Sequence, residues 1–155
     1  MSDLKTVTEG TNVQVAVRCR PANVEEKKSG QINCVATETV DKKVNVAYGQ
    51  NGKKTTKTFN FDKVFGCYST QEEVFRQMVF PLVQETVAGF NCTVFAYGQT
   101  GTGKTHTMEG DIHSEENAGI VPRAVKSIFE QLDAAKVEFT IRVSFLELYN
   151  EELQD

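Results

Sequence analysis

The spacing of apolar residues changes several times along the chain, and each change predicts an element. Val13-Gln14-Val15-Ala16-Val17 alternates and predicts a strand ending at Arg18-Cys19-Arg20-Pro21, because Pro21 cannot donate to a ladder. Residues 1–12 ahead of it read as a flexible arm, and the charged stretch from Val24 to Gly30 as a surface loop. Alternation returns in Val44-Asn45-Val46 and in Thr56-Lys57-Thr58-Phe59-Asn60-Phe61, with the turn pair Asn51-Gly52 between them. Residues 31–61 therefore predict a small antiparallel meander. From Ser69 the period becomes helical: Val74, Phe75, Met78, Val79, Leu82 and Val83 form one apolar stripe. Ser69 and Glu72 predict a capping box at its start, Pro81 a kink or division, and Gly89 its end. The run Cys92-Thr93-Val94-Phe95-Ala96 predicts a buried strand. A polar loop from Gly110 to Gly119 interrupts the helix expected to follow. Its second piece covers about 121–135, with Pro122 in the first turn and Val125, Ile128, Phe129 and Leu132 on one face. Residues 139–146 alternate and predict a last strand.

Bulk properties narrow the function classes. The chain has 155 residues, 39% hydrophobic and 25% charged, which suits one modest globular domain. A net charge of −4 gives no support to a nucleic-acid-binding surface. No run of apolar residues approaches membrane-spanning length, and the N-terminal residues lack the apolar centre of a signal peptide. Cys19, Cys34, Cys67 and Cys92 are widely spaced, so reduced thiols explain them better than a metal or disulfide framework.

Between the predicted strand 92–96 and the helix after it lies Gly98-Gln99-Thr100-Gly101-Thr102-Gly103-Lys104-Thr105, the pattern G-x-x-x-x-G-K-[ST]. Strand, glycine-rich loop and helix follow in the order that phosphate binding requires. Glycines let backbone wrap closely around an anion, so that N–H groups can point at phosphates. Lys104 supplies a point charge for the β- and γ-phosphates, and the Thr105 hydroxyl is the candidate ligand for Mg²⁺. A helix starting near Gly103 would add the positive end of its dipole.

With these residues in view, the chain resembles the N-terminal part of a kinesin motor domain. The resemblance is carried by residues 15–21, 59–66, 89–108, 118–123 and 143–151, and covers about 12–155. Arg18-Cys19-Arg20-Pro21 and Gly101-Thr102-Gly103-Lys104-Thr105 look most like the mitotic spindle (kinesin-5) subfamily. The resemblance implies a P-loop NTPase-type α/β fold, a mixed central sheet flanked by helices, of which residues 13–155 form the N-terminal portion. It implies ATP and Mg²⁺ as ligands and microtubules as the track. It also implies a cytoplasmic, spindle-associated location and a parent that is a homo-oligomer with a coiled coil. The Arg-x-Arg-Pro segment would place Arg18, Arg20 and Pro21 beside the adenine, and His106 would pack against the base. Gly110 to Gly119 matches an insertion that is usually longer in spindle kinesins, where it forms an inhibitor pocket.

Hydrolysis requires more than a phosphate loop: a positioned water and groups that sense the γ-phosphate. Kinesins supply these from two switch segments, Asn-x-x-Ser-Ser-Arg-Ser-His and Asp-Leu-Ala-Gly-Ser-Glu, and neither run occurs in this sequence. No catalytic residue is therefore assigned. Two functions remain open: the ATP-binding portion of a microtubule motor, or a nucleotide-binding module without hydrolysis. A GTPase would need Asn-Lys-x-Asp, which is absent, and an arginine-rich kinase lid is not visible.

Overall fold

The computed structural model describes residues 13–30, 33–49 and 55–154. The predicted N-terminal arm and the Asn51-Gly52 turn lie outside the described residues.

Strand β1 (Ala16–Arg18) pairs in parallel with β5 (Lys63–Phe65), Val17 standing opposite Val64. It begins later than the alternation suggested and includes Arg18. Between the two strands runs the expected meander: β2 (Val35–Glu38), β3 (Lys43–Tyr48) and β4 (Thr55–Asn60), antiparallel, with Val35 opposite Val46 and Val44 opposite Phe59.

The charged stretch after Pro21 is not a loop but helix α1 (Val24–Lys28). It buries no residue and is held by local chemistry: Asn23 and Glu26 form a reciprocal capping box, with acids in the first turn and lysines in the last.

The apolar stripe becomes α2 (Gln71–Val74), a π-helical turn (Phe75–Val79) and α3 (Phe80–Val87). The N-cap is Thr70 rather than Ser69: its hydroxyl accepts from the Glu73 amide at 3.1 Å, while Glu72 pairs with Arg76 one turn on. Pro81, which has no N–H to donate, follows the wide turn directly, so the helix is divided where proline predicts. Helix α3 ends before Gly89 at φ +101°.

Helix α4 (Lys104–Met108), the interrupting loop and α5 (Ile120–Ala135) also follow expectation. A bridge between Gly110 and Ala118 closes the loop, and Arg123 donates to the carbonyls of Ala118, Glu115 and Glu116. The buried face of α5 differs from the expected one. Ile120 and Ser127 are buried and Ala124 and Ile128 pack on the core, whereas Val125 and Phe129 are exposed; Phe129 meets the Phe139 ring edge-on. The core is formed by Phe65, Val74, Phe75, Val79, Val83 and Ile120, with Met108 of α4 packed against it.

Two predicted strands do not form. Residues 90–98 and 137–146 carry no ladder, and only the short β6 (Glu147–Tyr149) and β7 (Glu152–Gln154) pair with each other. Phe95 is 81% exposed and Phe145 81% exposed. A strand exists only with a partner at its edge and cover on its faces, and none of the described strands lies beside these runs.

Candidate functional site: a glycine-rich loop beside β1

Gly98 to Thr105 forms a tight loop running into α4. A Cβ on Gly98 would stand 2.6 Å from the Thr102 hydroxyl, which itself donates to the Gln99 carbonyl, so only glycine allows this approach. Gly101 and Gly103 have φ of +81° and +99°, a backbone that a side chain strains. Nothing stands within 4 Å of where a Cβ would project from either glycine, so space beside the loop is free.

The Lys104 ammonium is folded across the loop, donating to the carbonyls of Gly98 at 2.8 Å and Gln99 at 3.0 Å. The first helical amide bonded back into α4 is that of Thr107, which donates to the Gly103 carbonyl. The amides of Lys104, Thr105 and His106 therefore precede the first intrahelical bond. With five residues in α4, the helix dipole is small. Thr105 is exposed, as are Gln99 and Thr100.

Arg20 comes to this loop from the end of β1. Arg20 donates through Nε to the Gly101 carbonyl at 2.8 Å and forms a two-pronged pair with Glu26 at 2.6 and 2.7 Å. The arginine holds the Glu26 carboxyl down to about 2, helped by the Asn23 amide, and the same bond raises the Arg20 guanidinium. The capping glutamate of α1 thus orients Arg20 toward the loop.

Arg18 points to the other side. Its guanidinium donates to Gln71 Oε1 at 2.8 Å, to the Thr107 hydroxyl at 3.0 Å and to the Ser69 carbonyl at 3.3 Å. Burial pulls it below its ordinary value and the nearby Glu73 charge opposes this; an arginine stays protonated throughout. Neighbouring Cys19 is half-buried, and burial, then the Cys67 thiol, pushes its thiol up. His106, on α4, is exposed, with its Nδ1 3.5 Å from the Gln71 amide.

The structure thus brings Arg20 to the loop of residues 98–105 and ties Arg18 to α4 through Gln71 and Thr107, while Pro21 offers its carbonyl to Arg20. Gln71, Thr107 and Glu26 were not foreseen from sequence. Gln71 did leave a trace: it stands three and four residues before Val74 and Phe75, a polar residue on the apolar face.

A glycine-rich loop with a lysine and a threonine at the mouth of a helix, beside a parallel strand pair, defines a P-loop protein of α/β type. The sequence profile of the kinesin motor domain matches residues 18–155, and the chain belongs to that family. It is 53% identical over 155 residues to the kinesin-like protein KIN-5A of Arabidopsis thaliana, covering 95% of this chain and 15% of the relative. It is 47% identical over 160 residues to kinesin-like protein KIF11-B of Xenopus laevis, covering 97% and 15%. With kinesin-like protein KIF11 of Mus musculus it shares 46% over 164 residues, covering 99% and 16%. The likeness to kinesin-5 members is therefore confirmed, over about a sixth of their length.

Proposed function

We propose that this chain is the ATP-binding portion of a microtubule motor that acts in the mitotic spindle. The observation that carries this reading is the arrangement at Gly98 to Thr105: positive-φ glycines beside free space, with the Lys104 ammonium drawn over the loop by two carbonyls. A triphosphate entering the loop would take that ammonium from the carbonyls, since a charge-assisted bond to an anionic oxygen is stronger. The donor set suits magnesium as well. The exposed Thr105 hydroxyl would supply one oxygen, with phosphate oxygens and water completing the six positions that Mg²⁺ demands. Bound there, the metal would neutralise phosphate charge.

The residues of this chain bind and orient. Gly101 to Thr105 hold the phosphates, Lys104 offsets their charge, and Arg20 and Pro21 flank the base together with His106. The Glu26 pair presets Arg20 before nucleotide arrives. In-line attack by water on the γ-phosphate needs groups that this sequence does not provide in the family's form. That observation keeps the second reading, a nucleotide module without turnover, as the alternative.

Calorimetric titration of MgATP into the intact protein and its Lys104→Ala variant tests the binding. The loss of a bond to a charged group, about 1.5–3 kcal/mol, predicts at least a roughly tenfold weaker affinity. Equal affinity would contradict the role given to the loop. Microtubule-stimulated phosphate release by the intact protein would favour the motor over the inactive module.

A further inference from the structure

Gln71 opens α2 and is 5% exposed, on the face that buries Val74 and Phe75. A polar side chain there costs stability unless it is fully bonded, and an apolar residue would serve the core better. Its amide is engaged with three segments distant in sequence. Oε1 accepts from Arg18 of β1 at 2.8 Å, while Nε2 donates to the His106 carbonyl of α4 at 2.6 Å and to the Asn117 carbonyl at 3.1 Å. The His106 carbonyl lies in the last turn of a five-residue helix, where carbonyls lack helical partners. So short a helix has little stability of its own and takes its orientation from outside contacts.

We propose that Gln71 is a positioning residue of the nucleotide site. Its amide locks Arg18, and with it the end of β1 that carries Arg20, to the helix that carries Lys104 and Thr105, and so sets the register between the base end and the phosphate end of a bound nucleotide. The inference rests on the ATP-binding reading above. Arg18 has one further side-chain partner on that helix, the Thr107 hydroxyl, which makes Gln71 and Thr107 joint anchors of the same guanidinium.

The test compares MgATP with magnesium tripolyphosphate, which has the phosphates but no base, by titration calorimetry on the intact protein. Gln71→Met should weaken ATP binding roughly fivefold, within the range by which residues without ligand contact act on a site, and tripolyphosphate binding less than about twofold. Adding Gln71→Met to Arg18→Met should cost less than about twofold more, because with Arg18 gone Gln71 has no guanidinium left to hold. Loss of both ligands to the same extent would mark a merely structural role and overturn the proposal. So would unchanged ATP affinity, or losses that multiply in the double variant. If Gln71→Met does not fold, Thr107→Val carries the test: a selective loss of ATP affinity supports the proposal, and an unchanged ratio of the two affinities overturns it. Wild-type protein that binds neither ligand would refute the ATP reading itself, whereas wild-type binding with an indifferent Gln71→Met refutes this inference alone.

Discussion

Lys104 and Glu26 show how single side chains shape the glycine-rich loop and its surroundings. Lys104 rests on carbonyls of its own loop, and Glu26 clamps Arg20 against the same loop. The Glu26 carboxyl is held down to about 2 from its ordinary 4.5. A depressed carboxylate contributes stability that is present above its ordinary value and lost as pH falls through the lowered one. The Arg20–Glu26 clamp should therefore outlast the ordinary carboxylate range near 4.5 and open as pH falls toward about 2. An NMR titration of the Glu26 carboxyl carbon should give a midpoint well below 4, returning toward 4.5 in Arg20→Ala; an ordinary midpoint in the wild type would contradict the clamp. At this scale the sequence was informative where chemistry is spelled by a local pattern, as in Gly98 to Thr105. It gave Gln71 no role, because its three partners lie at positions 18, 106 and 117 and meet only in the fold.

Among the elements, those stabilised locally were legible. The divided helix at Pro81, the Gly89 stop and the meander each follow from a few adjacent residues. Helix α1 was misread: its dense charge suggested a loop, although Asn23 and Glu26 cap a helix there. The strands expected at 92–96 and 139–146 were not legible, because an apolar run signals a need for burial without naming the partner. The elements that do form close on Phe65, which is 2% exposed among Val74, Phe75, Val79, Val83 and Ile120. Phe65→Ala should cost about 3–5 kcal/mol from lost transfer energy and the cavity left behind. Urea unfolding of the intact protein measures it, and a change below about 1 kcal/mol would mean that this cluster is not the organising core.

For the molecule as a whole, exposed apolar surface is the dominant feature. Phe90, Phe95, Tyr97, Phe145, Leu146 and Leu148 all stand more than 60% exposed. The 155-residue chain by itself should bind the dye ANS strongly and show no sharp near-UV transition on heating. A cooperative transition with weak dye binding would contradict that expectation. The loop from Gly98 to Thr105 follows the exposed Tyr97 directly and leads through α4 to Met108, which packs on the small core with Ile120. Its local geometry therefore survives where the long strands do not form.

The account turns on whether the backbone from Gly101 to Thr105 is a receptor for phosphate. Amide NMR spectra of the isotopically labelled intact protein, recorded with and without MgATP, read those groups one at a time. The prediction is that Gly101, Gly103, Lys104 and Thr105 show the largest shifts and that tripolyphosphate reproduces them. If ATP instead leaves these four amides unmoved while perturbing others, the loop is not the triphosphate site.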